Sequence, residues 1–178
     1  MKRIRSGPVA MLAIVLVTLS GGAISAQDKY TLQVPNGLAF SDFRGYEDWQ
    51  VVSVAQTDDV LKVIVGNPTM IKAYRSGIPG NGKPFPDGSK AAKLQWQPKK
   101  STEAPFVVDV PDVFKQAFLM EKDTKRFPKS GGWGYAVFNY DSPSDTFSPD
   151  AASRSDCGLA CHLKVKQKDY VFHPYQKR

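Results

Sequence analysis

Val60-Leu61-Lys62-Val63-Ile64-Val65-Gly66-Asn67-Pro68 reads as a strand followed at once by a helix start. The run before Gly66 is rich in β-branched residues, which suit a pleated, packed surface, and glycine closes it. Asn67 is placed to cap a helix and Pro68 to fill its first position, where the missing N–H costs nothing. That helix is expected to extend through Ser76, with Gly77 after its end and Ile71 and Tyr74 on its apolar face. Further segments of strand character recur at Val51 to Val54, Ala91 to Gln97, Phe106 to Val110 and Trp133 to Tyr140. Ile78 to Gly88, rich in glycine and proline, is expected to be irregular. A second helix is predicted over Val113 to Asp123. Closely spaced strands with few helices predict an α+β, mainly β fold: an antiparallel sheet packed by a few helices on one side.

The amino terminus has a different character. Lys2, Arg3 and Arg5 precede an apolar run from Val9 to Leu19 and then small residues ending in Ser25-Ala26. This is the pattern of a secretory signal peptide, too short in its apolar part for a membrane span. Residues 1–26 are therefore expected to be removed, leaving 27–178 as one soluble, periplasmic domain. Loss of the leader's three basic residues leaves 21 Lys and Arg against 17 Asp and Glu, a net charge of +4. The basic residues are scattered apart from Lys90, Lys93, Lys99, Lys100 and the stretch from Lys164 to Arg178, and no nucleic-acid-binding motif accompanies them. A mildly basic face suits an acidic redox partner as well as it suits plain solvation.

The chemistry concentrates near the carboxyl end. The chain's only two cysteines stand in Cys157-Gly158-Leu159-Ala160-Cys161-His162, followed at once by one of its two histidines. Two thiols and an adjacent imidazole are what covalent attachment of a c-type haem requires: thioethers to the porphyrin vinyl groups and one axial ligand to iron. The usual spacing leaves two residues between the cysteines and this chain has three. Positions three and four apart both fall on one helix face, so a helix can present either pair to one porphyrin edge. The other readings of the motif are a Cys157–Cys161 disulfide and a zinc site completed by His162 and His173. With haem bound, His162 is the proximal ligand and Met70, Met120 and His173 are the candidates for the opposite face, which is otherwise open.

Several phrases, in order, resemble the cytochrome P460 family, whose relatives include the beta-sheet cytochromes c prime. They are Tyr46-x-x-Trp49, the strand and helix from Val63 to Gly77, Pro86-Asp87-Gly88 with Lys93 five residues later, Gly132-Trp133 through Phe138, the late cysteine motif and Asp169-x-Val171-Phe172. The resemblance implies a haem domain over 27–178 holding one haem c through Cys157, Cys161 and His162. It further implies that Lys93 is joined covalently to the porphyrin rim, as in the members that oxidise hydroxylamine to nitric oxide or nitrous oxide. A small cytochrome c as electron acceptor and a homodimeric state follow from the same likeness. Without the lysine bond it implies nitric oxide binding at a five-coordinate haem, and with a sixth ligand an electron carrier. Read from the residues alone, Lys93 shares a strand face with Ala91 and Gln95, while Lys90 points to the other face. Oxidation of hydroxylamine also needs a proton acceptor near the bound substrate. Asp145, Asp150 and Asp156 precede the cysteine motif, and Asp150 is the one singled out for that role.

Overall fold

The computed structural model describes residues 27–153 and 158–176. The expected signal peptide, and Asp156 and Cys157, lie outside the described residues. Six strands form one antiparallel meander in the order of the chain: β1 Gln50–Thr57, β2 Val60–Gly66, β3 Lys90–Lys100, β4 Asp109–Lys122, β5 Trp133–Asp141 and β6 Thr146–Pro149. Two short α-helices accompany them, α1 Pro68–Arg75 between β2 and β3 and α2 Leu159–His162 after β6.

Both faces of the sheet are covered, but by different means. Because side chains alternate along a strand, Val65, Ala92, Leu119 and Ala136, matched across four strands, bury one face. Against it packs the segment before β1, whose 3-10 turns at Phe40–Phe43 and Tyr46–Asp48 bring in Phe40, Phe43 and Tyr46 together with Val34 and Leu38. The helices therefore lie on one side as expected, while the other side is closed by the segment before β1, which has no strong helix or strand pattern in the sequence.

The opposite face carries α1. Asn67 caps this helix by accepting from Met70 N at 3.0 Å, and the same oxygen accepts from Lys90 N at 3.0 Å. Its amide donates to Gly88 O at 2.8 Å, so one side chain ties the helix start to the beginning of β3. Ile71 and Tyr74 are buried as expected, joined by Met70 and Ala73.

Two predicted elements are corrected. The helix expected over Val113 to Asp123 is the second half of β4, paired to β3 on one side and β5 on the other. A central strand buried on both faces reads as a continuous apolar run, and Ala117-Phe118-Leu119-Met120 has no period by which to tell it from a buried helix. The strand expected over Phe106 to Val110 begins only at Asp109; Phe106 and Val107 are exposed in the preceding loop, with no ladder partner to realise their β propensity.

Candidate functional site

Antiparallel register builds the floor of an apolar recess. Ile64, Lys93, Phe118 and Val137 stand opposite one another across β2, β3, β4 and β5. One pleat further along, Ala91, Met120 and Tyr135 form a second row on the same face. All seven line the recess, whose walls come from Met70 and Tyr74 of α1, from Gly158, Cys161 and His162, and from Val171, Phe172 and His173. Its cavity volume is about 220 Å³, and it opens to solvent on one side.

Helix α2 lays its first turn flat on the floor. A Cβ at Gly158 would stand 2.4 Å from the Tyr135 ring, so glycine is required by close approach rather than by an unusual backbone angle. Gly158 O accepts from His162 N at 3.0 Å, which fixes the turn that presents Cys161 and His162. Gly158→Ala is expected to lift this turn by overpacking, at a cost of about 1–3 kcal/mol. The expected observations are a lower denaturation midpoint and reduced haem incorporation during maturation.

The His162 imidazole is oriented by three contacts. Nδ1 lies 2.5 Å from the carbonyl oxygen of Tyr170 and donates to it, which leaves Nε2 as the lone-pair nitrogen for a metal. Tyr135 and Phe172 flank the ring, each with its centroid 4.9 Å away. Burial, with a smaller contribution from Lys93, holds this imidazole below the ordinary histidine pKa, while the Tyr170 carbonyl pulls the other way. A neutral imidazole is the ligating form.

Lys93 sits inside the recess instead of pointing to water. Its Nζ lies 3.8 Å from the centre of the Phe118 ring, its cross-strand partner. Burial, reinforced by the charge of Lys62, pushes its ammonium below the usual lysine value. Lys90 takes the other face as expected, pairing with Glu121 at 3.2 Å and donating to the Asp42 carbonyl.

Asp150 does not join this group. Its Oδ1 accepts from Ala152 N at 2.9 Å and its Oδ2 from Asn139 Nδ2 at 3.0 Å, the arrangement of an Asx turn after β6 and away from the recess lining. Its backbone reaches the sheet beside the recess, the Asp150 N–H donating to the Val137 carbonyl at 2.9 Å, while its carboxylate accepts within the turn. Asp145 is likewise held outside by the Tyr140 hydroxyl at 2.7 Å. Met70, Met120 and His173, by contrast, all reach the recess. Phe118 went unrecognised because its strand was read as a helix, although Lys93 and Phe118 become neighbours as soon as β3 and β4 are paired.

An imidazole with one nitrogen tied back, a cysteine beside it in the same turn and an apolar floor fit a porphyrin, whose ring needs apolar walls and whose iron needs that free nitrogen. Fold and site together define the class as a sheet-based c-type haem protein. The family model described as Cytochrome P460 matches residues 43–173 of the 178, and the chain belongs to the cytochrome P460 family. Its cofactor is accordingly an iron-containing c-type haem. No curated protein matches the chain.

Proposed function

We propose that this protein is a periplasmic hydroxylamine oxidoreductase. What supports the reading is the position of Lys93, within the same recess as Cys161 and His162 and at the centre of its floor. In this assignment Cys157 and Cys161 tether the porphyrin, His162 supplies Nε2 to iron, and Lys93 Nζ is joined to the porphyrin rim. The haem supplies an iron that takes electrons one at a time from a small nitrogen substrate and hands them to an external acceptor, for which a small cytochrome c is suited. Phe118, Phe172 and Ile64 give the recess apolar walls that favour a small neutral substrate over solvated ions. The depressed pKa of Lys93 keeps more of its amine in the unprotonated, bond-forming state than a surface lysine would have. Residues 1–26 direct export and are cleaved after Ala26, and the mature domain works as a homodimer.

Proteolytic mapping of protein matured in a host competent in cytochrome c assembly tests the reading. Porphyrin is expected on the peptide bearing Lys93 as well as on the cysteine peptide. Recovery of an unmodified Lys93 peptide would remove the hydroxylamine assignment. A specific observation favours a second reading in that event: no carboxylate among the described residues lines the recess, and an apolar pocket of this kind suits reversible binding of nitric oxide.

A further inference from the structure

Oxidation of hydroxylamine to nitric oxide releases three electrons and three protons, and the protons need an acceptor next to the substrate. Among the described residues, the titratable side chains lining the recess are Tyr74, Lys93, Tyr135, Cys161, His162 and His173. Five of these are committed or unsuited. His162 is tied to the Tyr170 carbonyl through one nitrogen and assigned to iron through the other. Cys161 and Lys93 are assigned to the porphyrin. Tyr74 donates its hydroxyl to the His173 carbonyl at 2.8 Å, and burial raises its pKa well above the ordinary tyrosine value. Tyr135 is a phenol buried beneath Gly158.

We infer that His173 is the catalytic base of the recess, taking protons from the substrate and releasing them to solvent. This rests on the hydroxylamine reading above. His173 is held at both ends, by Tyr74 through its backbone carbonyl and by Ser53 of β1, whose Oγ lies 3.4 Å from its Nδ1. The Ser53 hydroxyl also lies 3.3 Å from the Val54 carbonyl. Ser53 contacts the ring only at Nδ1, so Nε2 lies outside that contact. The residue is partly exposed, so a proton accepted inside has a route out.

Its electrostatic surroundings favour the neutral form at rest. Burial holds the imidazole below the ordinary histidine pKa, and the charge of Lys62 on β2, which stays free in the holoprotein, acts in the same direction. From β1 it faces the uncharged Ser53 and from α1 the uncharged Tyr74. At neutral pH the lone pair is free, and the base is lost only as pH falls through its lowered pKa.

The test is the full-length holoprotein carrying His173→Gln, compared with wild type and with His173→Glu. Wild type is expected to lose hydroxylamine turnover on an acid limb below pH 6.5, under a saturating one-electron acceptor. His173→Gln is expected to lose that limb and about a hundredfold in turnover. Anaerobic optical titration of the ferric protein with hydroxylamine should give binding within about threefold of wild type, with an unchanged resting spectrum. His173→Glu should recover part of the rate, with its acid limb moved toward the carboxylate range. Undiminished turnover in His173→Gln overturns the inference. So does a resting spectrum that passes from low-spin to high-spin in that variant, which makes His173 an iron ligand, and so does loss of haem from both variants, which makes it a structural post. Wild type that binds haem but never oxidises hydroxylamine removes the functional reading itself, and this inference with it.

Discussion

Lys93→Arg is expected to turn the absorption spectrum of the holoprotein into that of an ordinary c-type haem and to abolish hydroxylamine oxidation, while haem stays attached. The physical argument is the difference between a bond and a charge. Arginine keeps a long side chain over the Phe118 ring, where Lys93 Nζ lies 3.8 Å from the centroid before the bond forms. Its guanidinium remains protonated in proteins and is no nucleophilic amine, so it cannot form the third attachment to the porphyrin. A macrocycle held at two thioethers and a third point is distorted, and distortion is one of the means by which a protein tunes haem. Absorption spectra of the oxidised and reduced variant, beside a turnover assay, check it. A variant spectrum identical to wild type would show that Lys93 never carried the porphyrin. Lys90 offers no substitute, since it is bound to Glu121 on the opposite face of the same strand.

That opposition of Lys90 and Lys93 was legible in the sequence because strand alternation alone decides it. Ala91 and Lys93 face the recess and Ala92 faces the other core, and only the pairing of Lys93 with Ile64 and Phe118 had to come from the structure. The start of α1 was legible too, since Asn67-Pro68 is a local signal that needs no partner. β4 was not, because a strand covered on both faces loses the alternation by which strands are recognised. The surroundings of the two candidate bases were not legible either. Asp150 is close to the cysteine motif along the chain, and in the fold its carboxylate accepts within an Asx turn. His173 is brought to the recess by the turn at Asp169 and Tyr170, both with positive φ (48° and 63°), and no glycine marks that turn in the sequence.

The same turn explains the second large expected effect, a loss of about 3–5 kcal/mol of stability in Asp169→Asn. Asp169 Oδ1 pairs with Lys122 Nζ at 2.7 Å, with side-chain exposures of 10% and 4%. Its Oδ2 accepts from Phe85 N at 2.7 Å, and Lys122 also donates to the Gly131 carbonyl at 2.8 Å. An asparagine can still accept from Phe85 N, but it leaves the buried ammonium of Lys122 without a countercharge, and that uncompensated charge is the main cost. The effect reaches the haem site along the backbone, because the next residue, Tyr170, supplies the carbonyl that orients His162 and packs its ring on Gly131, where a Cβ would come within 2.2 Å. A shift in the urea denaturation midpoint measures the loss, and the haem absorption band reports any slackening of the His162 ligation. The double variant Lys122→Met with Asp169→Asn removes both charges and is expected to be more stable than Asp169→Asn alone. A cost below about 1 kcal/mol for the single variant, the range of exposed pairs, would mean that solvent reaches Lys122 and that the turn is held by its backbone hydrogen bonds instead.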